Sequence, residues 1–212
     1  MKIEIRHQTC HLLAERAVFW EEQHTLILAD MHMGKATHFQ KEGISVPEGS
    51  WEEDLQRVTT LIQKFQPRMC VIVGDLIHTS KGLSSQVKMV FSHWLQACEC
   101  EIHLVLGNHD FSLAKNLPSE WPLHIHREGL LLDPFYFSHH PLRHAGHFVW
   151  AGHLHPKVEI KNAHDRLVLR CFQIFPHLAI LPAFGSFVGG TFVKKTQGGI
   201  LYAIADSCVI PL

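Results

Sequence analysis

Five short clusters of metal-binding side chains, each standing directly after a strand-like apolar run, constrain this chain more than any other feature. In order they are Asp30-Met31-His32, Gly74-Asp75, Gly107-Asn108-His109-Asp110, Ser138-His139 and Gly152-His153-Leu154-His155. The apolar runs before them occupy residues 25–29, 69–73, 102–106, 134–137 and 147–151. In open α/β sheets the carboxyl ends of strands are where loops diverge and a crevice opens, so strand ends can deliver all five clusters to one rim.

Hydrolysis of a phosphoester needs a strong nucleophile at neutral pH and positive charge against the phosphoryl oxygens. Two divalent cations about 3.5–4 Å apart can supply both, clamping the phosphate and sharing a hydroxide. Such a pair needs a bridging carboxylate, and Asp75 at the end of an apolar run is the natural candidate. Asp30 and His32 stand two apart on a segment expected to be extended, where period-two alternation points both to one side. His153 and His155 share that spacing. Asn108 offers a neutral amide oxygen and His139 a neutral imidazole. Oxygen and imidazole ligation without thiolate suits manganese or iron better than a structural zinc site. Manganese is the first choice, with iron, magnesium and zinc as alternatives, magnesium being the poorer match to several histidines.

His109 directly follows Asn108 and is placed to overhang the phosphate as the general acid that protonates the departing oxygen. His78, three residues after Asp75, is a candidate for positioning the phosphate or the leaving group. Asp110 either orients a neighbouring group or holds its loop. Lys35 is either a substrate-phosphate contact or a solvated turn lysine. Any one motif alone is more often structural than metal-binding; five in order, each after a strand, reverse that inference.

With 212 residues, 46% of them hydrophobic, the chain can build one sizeable core, and residues 1–212 are expected to form a single domain. A formal charge of −1 gives no global field that attracts nucleic acid, although two divalent ions would add about four positive charges at the site. Residues 1–6 lack a secretory apolar core, and no uncharged stretch is long enough to span a bilayer. The expectation is therefore a cytoplasmic protein without membrane contact. The six cysteines, Cys10, Cys70, Cys98, Cys100, Cys171 and Cys208, contain no Cys-x-x-Cys pair and are expected to be free, buried thiols. Nineteen histidines are many more than the motifs use. His7, His11, His24, His93, His124, His126 and His164 lie in polar or mixed segments and are read as surface or hydrogen-bonded groups.

Residues 2–6, 11–13, 17–20 and 26–29 read as short strands. Residues 50–65 read as a helix, with Trp51, Leu55, Val58, Leu61, Ile62 and Phe65 near a 3.6-residue period, Pro67 ending the run and Ser50 with Glu53 forming a capping box. A second helix over residues 84–98 puts Val87, Val90, Phe91, Trp94 and Leu95 on one face. Strand, helix, strand, helix, strand through residue 106 predicts parallel strands with crossover helices. Beyond His139, residues 148–152, 157–161, 166–172, 179–182 and 199–204 are strand-like with glycine and proline punctuation, which predicts a second sheet packed on the first. Residues 185–190 are expected to turn near the site.

The five motifs resemble those of the calcineurin-like metallophosphoesterase superfamily over nearly the whole chain. That resemblance implies an α/β fold built as a four-layer sandwich, two β-sheets flanked by helices. It also implies a ligand set: Asp30, His32, Asp75 and His155 for one metal, and Asp75, Asn108, His139 and His153 for the other. His139 is preferred to His140 because the family's ligand usually ends its strand. Many phosphatases of this superfamily continue the Gly-Asp motif to a second aspartate and an arginine. Here the continuation is Leu76-Ile77-His78, which is more similar to the double-strand-break-repair nuclease branch. The stretches 29–35 (ADMHMGK), 152–156 (GHLHP), 170–172 (RCF) and 181–190 (LPAFGSFVGG) resemble the ligase-associated DNA damage response endonucleases, the PdeM family. This implies a manganese-dependent DNA phosphodiesterase functionally linked to an ATP-dependent DNA ligase and a helicase. Lys35, Arg143, Lys194 and Lys195 would then carry loop contacts to DNA, because no aromatic and basic platform for single strands stands out. The competing readings are a phosphodiesterase or phosphatase of nucleotide-sized substrates and a scaffold without catalysis. Oligomeric state is left open.

Overall fold

The chain begins with a meander that delivers its first ligand cluster from the middle of a sheet. β1 (Lys2–Ile5), β2 (Gln8–Leu12), β3 (Val18–Trp20) and β4 (Thr25–Leu28) pair antiparallel in succession. From β4 onward the pairing is parallel, through β5 (Met69–Val73), β6 (Glu101–Val105) and β7 (Leu123–His126), completing a seven-stranded sheet in chain order. β4 is buried along its whole length and β5 along its last four residues, as expected of parallel strands covered on both faces. The computed structural model describes residues 1–36, 39, 43, 50–80, 82–113, 117–161, 165–195 and 198–212.

Two crossovers are the predicted helices, α1 (Ser50–Phe65) and α2 (Ser85–Ala97). The Ser84 hydroxyl accepts the Val87 N–H and caps α2, satisfying one of the amides that a helix start leaves unpaired. The side chain of Ser50, on which the expected capping box of α1 depends, falls outside the described residues, as does His164.

The second half forms the predicted second sheet. Its members are β8 (Leu130–Leu132), β9 (Phe135–Ser138), β10 (Phe148–Ala151), β11 (Lys157–Lys161), β12 (Arg166–Ile174), β13 (Leu178–Ile180), β14 (Ile200–Ala205) and β15 (Cys208–Pro211). The order is β15-β14-β12-β13-β10-β9-β8, with β11 pairing β12. Only β9, β10 and β13 are mutually parallel. Ile27, Ala29, Val71, Val73 and Val105 on the inner face of the first sheet meet Phe135, Phe137, Phe148, Trp150, Phe172 and Leu181 of the second. On the opposite face of the first sheet, Leu28, Ile72 and Leu104 pack against Leu55, Val58 and Leu61 of α1 and Val87, Phe91 and Leu95 of α2.

The two-sheet sandwich is thus the expected one. Among the described residues its helical layer, including the short α3 (Asn108–Leu113), lies against the first sheet. The outer face of the second sheet carries a small cluster of Val158, Cys171, Leu201 and Ala203 with the β11–β12 hairpin. The reason is length: only residues 139–147 separate the parallel β9 and β10, too few for a helical crossover. The sequence reading lacked α3, β7, β8 and β15. All six cysteines were expected to be free and buried; all six are free, but Cys98 and Cys100 are only half-buried and Cys208, on the terminal edge strand, is exposed. No described helix is long and apolar enough to cross a membrane.

Candidate metal centre

The ligand clusters sit just beyond the strand ends, where backbone hydrogen bonds tie neighbouring loops together. The Asp30 N–H donates to the Gly74 carbonyl (3.0 Å) and His32 N–H to the Asp75 carbonyl (2.8 Å) in the first sheet, Gly152 N–H to the His139 carbonyl (3.1 Å) in the second, and Gly185 N–H to the Asp30 carbonyl (3.1 Å) between them. The period-two alternation expected of these residues does not operate here. Asp30, His32, Asp75, His153 and His155 are not extended; all five have left-handed backbones, with φ of 57°, 49°, 50°, 70° and 48°. Such a conformation costs an L-residue about 1–2 kcal/mol and persists only where the surroundings over-determine it. Its effect is to turn consecutive ligand side chains inward from a loop that a regular strand could not curve so tightly.

The seven predicted ligands converge. His155 Nε2 lies 3.2 Å from Asp30 Oδ1, and His32 Nε2 lies 3.6 Å from Asp75 Oδ2. On the other side, His139 Nε2 is 3.5 Å from Asp75 Oδ2 and 2.9 Å from Asn108 Oδ1, while His153 Nδ1 is 3.2 Å from His139 Nε2. Asp75 therefore stands between both groups. His139 is buried against it, whereas His140 is exposed, its ring 5.0 Å from that of His139 and 4.3 Å from that of His153, so that one ligating atom from each of the three lies within 4.8 Å of the others.

The fit to metal rests on donors left over. His32 Nε2 and His155 Nε2 are buried without a hydrogen-bond partner, although each stands near a carboxylate oxygen, at 3.6 and 3.2 Å. Burial, with the neighbouring His155 and His109, pushes the His32 imidazole down to about 2, and burial pushes His139 down to about 4. Both rings are thus held neutral with a lone pair to give, which is the ligating form. Burial pushes the Asp75 carboxyl upward, opposed by the His109 N–H that donates to its Oδ1 (3.0 Å). A cation in its place would hold it ionised.

His109 and His78 flank this centre. His109 Nε2 is 3.9 Å from Asp75 Oδ2, and its Nδ1 is 2.6 Å from the His78 carbonyl. His78 Nδ1 is 3.3 Å from His32 Nδ1, and its ring packs 4.9 Å from that of His109. Asp110 resolves towards holding the loop. It is buried and accepts the N–H groups of Leu76 (3.2 Å), Ile77 (3.0 Å) and Gly107 (3.1 Å), tying the β5 and β6 loops together. Burial pushes its carboxyl up to about 7 against those three donors. Lys35 is half-buried in a narrow cleft with His32, Trp51 and Phe187, and burial, then Arg170 and Lys157, lowers its ammonium from the ordinary value.

The sequence reading missed an arginine clamp. Arg16 Nη1 donates to the Phe184 carbonyl (2.9 Å), and Arg57 donates to the same oxygen while its guanidinium lies 4.1 Å over the Phe184 ring. Arg170 donates to the carbonyls of Ala183 (2.5 Å), Gly185 (3.0 Å), Ser186 (2.9 Å) and Val188 (3.1 Å). Asp54 pairs with Arg57 (2.9 Å) and accepts from the Ser186 N–H (2.8 Å) and hydroxyl (2.6 Å). These four charges come from three distant parts of the chain, so no local pattern announces them. Arg143 donates to His177 (3.2 Å), and Lys194 and Lys195 are exposed.

Comparison with known proteins gives a consistent result. Residues 24–179 match the family model described as calcineurin-like phosphoesterase. The crystal structure of the nuclease MPE from Pseudomonas putida superposes with a TM-score of 0.87 at 31% identity, covering 100% of this chain and 99% of that one. YfcE, a phosphoesterase from E. coli, gives a TM-score of 0.47 at 15% identity over 89% of this chain and 97% of that one. No curated protein sequence matches.

Proposed function

The chain belongs to the calcineurin-like phosphoesterase family and is a hydrolase of phosphoester bonds; from that premise we propose that it is a manganese-dependent DNA endonuclease of DNA repair. The observation that carries the reading is end-to-end similarity to a nuclease combined with His78 standing beside His32 and His109 at the metal centre. In this reading the protein works in the cytoplasm, in functional connection with an ATP-dependent DNA ligase and a helicase.

Asp30, His32, Asp75 and His155 would hold one metal and Asp75, Asn108, His139 and His153 the other. Two divalent ions there supply a nucleophile at neutral pH and neutralise charge on the phosphoryl oxygens. The oxygen and imidazole donor set, with no thiolate among the seven, favours manganese. The chain's own groups do the rest. The His78 carbonyl accepts the His109 Nδ1–H, which fixes the ring with Nε2 towards the centre. Nε2 then carries a proton only in the doubly protonated ring, the form that can donate to the departing sugar oxygen. His78 borders the path that oxygen takes, and Lys35, in the cleft beside His32, meets a flanking phosphate of the strand. The Arg16, Arg57 and Arg170 clamp fixes the loop that walls this cleft.

The test is manganese-dependent cutting of circular single-stranded DNA, with Asp75→Ala as control and a small aryl phosphodiester alongside. Linearisation of the circle by the wild type only is the expected result. Hydrolysis of the small ester without cutting of the circle would move the substrate to nucleotide-sized diesters. Replacing manganese with magnesium, iron or zinc in the same assay tests the choice of ion.

A further inference from the structure

Away from the catalytic rim, the edge of the first sheet carries a second group of imidazoles. The register of β6 and β7 pairs His103 with His124 and Val105 with His126. His103, His124 and His126 therefore share one face of two adjacent strands, where same-face side chains are neighbours. The rings stack, His103 on His124 at 4.6 Å between centroids and His103 on His126 at 5.2 Å with planes only 7° apart. Glu101, two residues before His103 on β6, faces the same side and puts its Oε2 3.3 Å from His103 Nε2. One ligating atom each from Glu101, His103 and His124 lie within 4.8 Å of one another. At a strand rise of about 3.3 Å per residue, His103 is on the order of 15 Å from Asn108, so this group is separate from the catalytic centre.

Two distances indicate what the group is for. A charge-assisted N–H···O⁻ bond is about 2.7–2.9 Å long, so 3.3 Å between Glu101 and His103 is slack for an ion pair. It equals the edge of a tetrahedron whose ligand bonds are about 2.0–2.1 Å, the zinc distances to nitrogen and carboxylate oxygen. His103 Nδ1 is 2.9 Å from His126 Nε2. With the Nδ1–H donated there, Nε2 keeps a lone pair facing the Glu101 oxygen, the form of the ring that a cation between the two requires; the other tautomer donates Nε2–H to Glu101 instead. A partner on the far ring nitrogen that fixes the tautomer is the usual support of a metal-bound histidine. Burial also lowers His103 and His126 from the ordinary imidazole value, which favours the neutral, ligating ring.

We propose that Glu101, His103 and His124 bind one zinc ion, that His126 is the positioning residue for His103, and that the ion staples β7 to β6. β7 is the terminal strand of its sheet and has β6 as its one partner there. A bond through metal across the two strands replaces the neighbour that an edge strand lacks. Glu101 and His124 line an open cleft with Arg68, Cys98, Cys100 and Pro122, which gives the ion a path from solvent. Being exposed, both side chains can close on it without moving the core.

The experiment compares the manganese-loaded full-length protein with its Glu101→Gln/His124→Asn double variant, titrated with zinc against a chromogenic chelator. The wild type should take up one zinc per chain more than the variant, and zinc should raise the melting temperature of the wild type only. Manganese-dependent diester hydrolysis should be equal in the two, because neither residue belongs to the catalytic centre. Zinc entering the catalytic centre affects both proteins alike and cancels in the difference. Equal zinc uptake and equal thermal shifts would overturn the proposal and leave His103 as a proton donor to Glu101. His126→Phe should keep the stoichiometry and weaken binding about 10–100-fold, as loss of a supporting partner does; unchanged affinity would remove its positioning role.

Discussion

Gly107 leaves no room for a side chain. A methyl group there would overlap the Asp75 carboxylate and its backbone nitrogen; at Gly74 it would overlap the His139 ring, and at Gly152 it would come within 2.6 Å of Asp30 Oδ2. The glycines of these motifs are therefore the space into which ligand side chains fold. Gly74 alone among the three also needs a left-handed backbone (φ +83°). Gly107→Ala should keep the fold and lose about 10–100-fold in metal affinity through the displaced Asp75 carboxylate. Metal content after gel filtration measures this, and full manganese loading would mean that Asp75 does not bridge. His109→Asn should act differently. It should keep the metals and lose about 10²–10⁴-fold in rate, the loss expected of a missing general acid. Loss of metal in that variant would make His109 a ligand instead.

The loop after β13 has no regular backbone partners for several carbonyls, and Arg170 supplies four donor bonds to them. Removing it in Arg170→Met should cost about 1–3 kcal/mol, the penalty for leaving partly buried acceptors unpaired. Because the same loop presents Phe187 and Val188 to the cleft of His32 and Lys35, KM for a diester should rise more than kcat falls. A urea midpoint and kinetics like those of the wild type would show that the clamp is idle. Such an element could not be read from sequence: Arg16, Arg57 and Arg170 are isolated cations whose meeting point exists only after the sheets pack. The convergence of the candidate ligands was legible for the opposite reason, since each cluster carries its chemistry in two to four consecutive residues behind an apolar strand. The helix at Ser50–Phe65 was equally plain from its apolar period. β7 was hidden because its sequence, Leu-His-Ile-His, puts histidines where an inward apolar residue is expected, and Ile125 points to solvent. β8 and β15 are edge strands of three and four residues with mixed burial, too short to show a period. The left-handed backbones at Asp30, His32 and Asp75 leave no mark in sequence, because aspartate and histidine tolerate that conformation without glycine's help.

At the scale of the whole molecule a metal centre here would be a cross-link. The candidate ligands come from the β4, β5 and β6 loops of one sheet and the β9 and β10 loops of the other, so ions held by them would join two halves that otherwise meet through the apolar layer between them. Chelation should lower the melting temperature. An ion present at 100 times its dissociation constant stabilises by about 2.7 kcal/mol, and readdition of manganese should restore the transition. High pH should act on the same structure through the core thiols. Burial pushes Cys10 and Cys171 up to about 12 and Cys70 well above its ordinary value. Because the folded thiols keep their protons while unfolded ones ionise near 9, the unfolded state binds fewer protons across that interval. Stability is then fully present below about pH 9 and is lost as pH rises towards 12, by up to about 1.4 kcal/mol per pH unit for each thiol. Arg16, lowered to about 9 by burial and then by Arg57 and Arg170, works in the opposite sense, as do Lys35, Arg57, Lys157 and Arg170, each lowered by burial, while Cys98 and Cys100, pushed by burial up to about 12 and about 11, work with the core thiols. Urea midpoints at pH 8, 9 and 10 under reducing conditions should fall steeply. A Cys70→Ala/Cys171→Ala variant, weaker at pH 8, should show the shallower decline; parallel declines would mean that the thiols do not govern the alkaline limit.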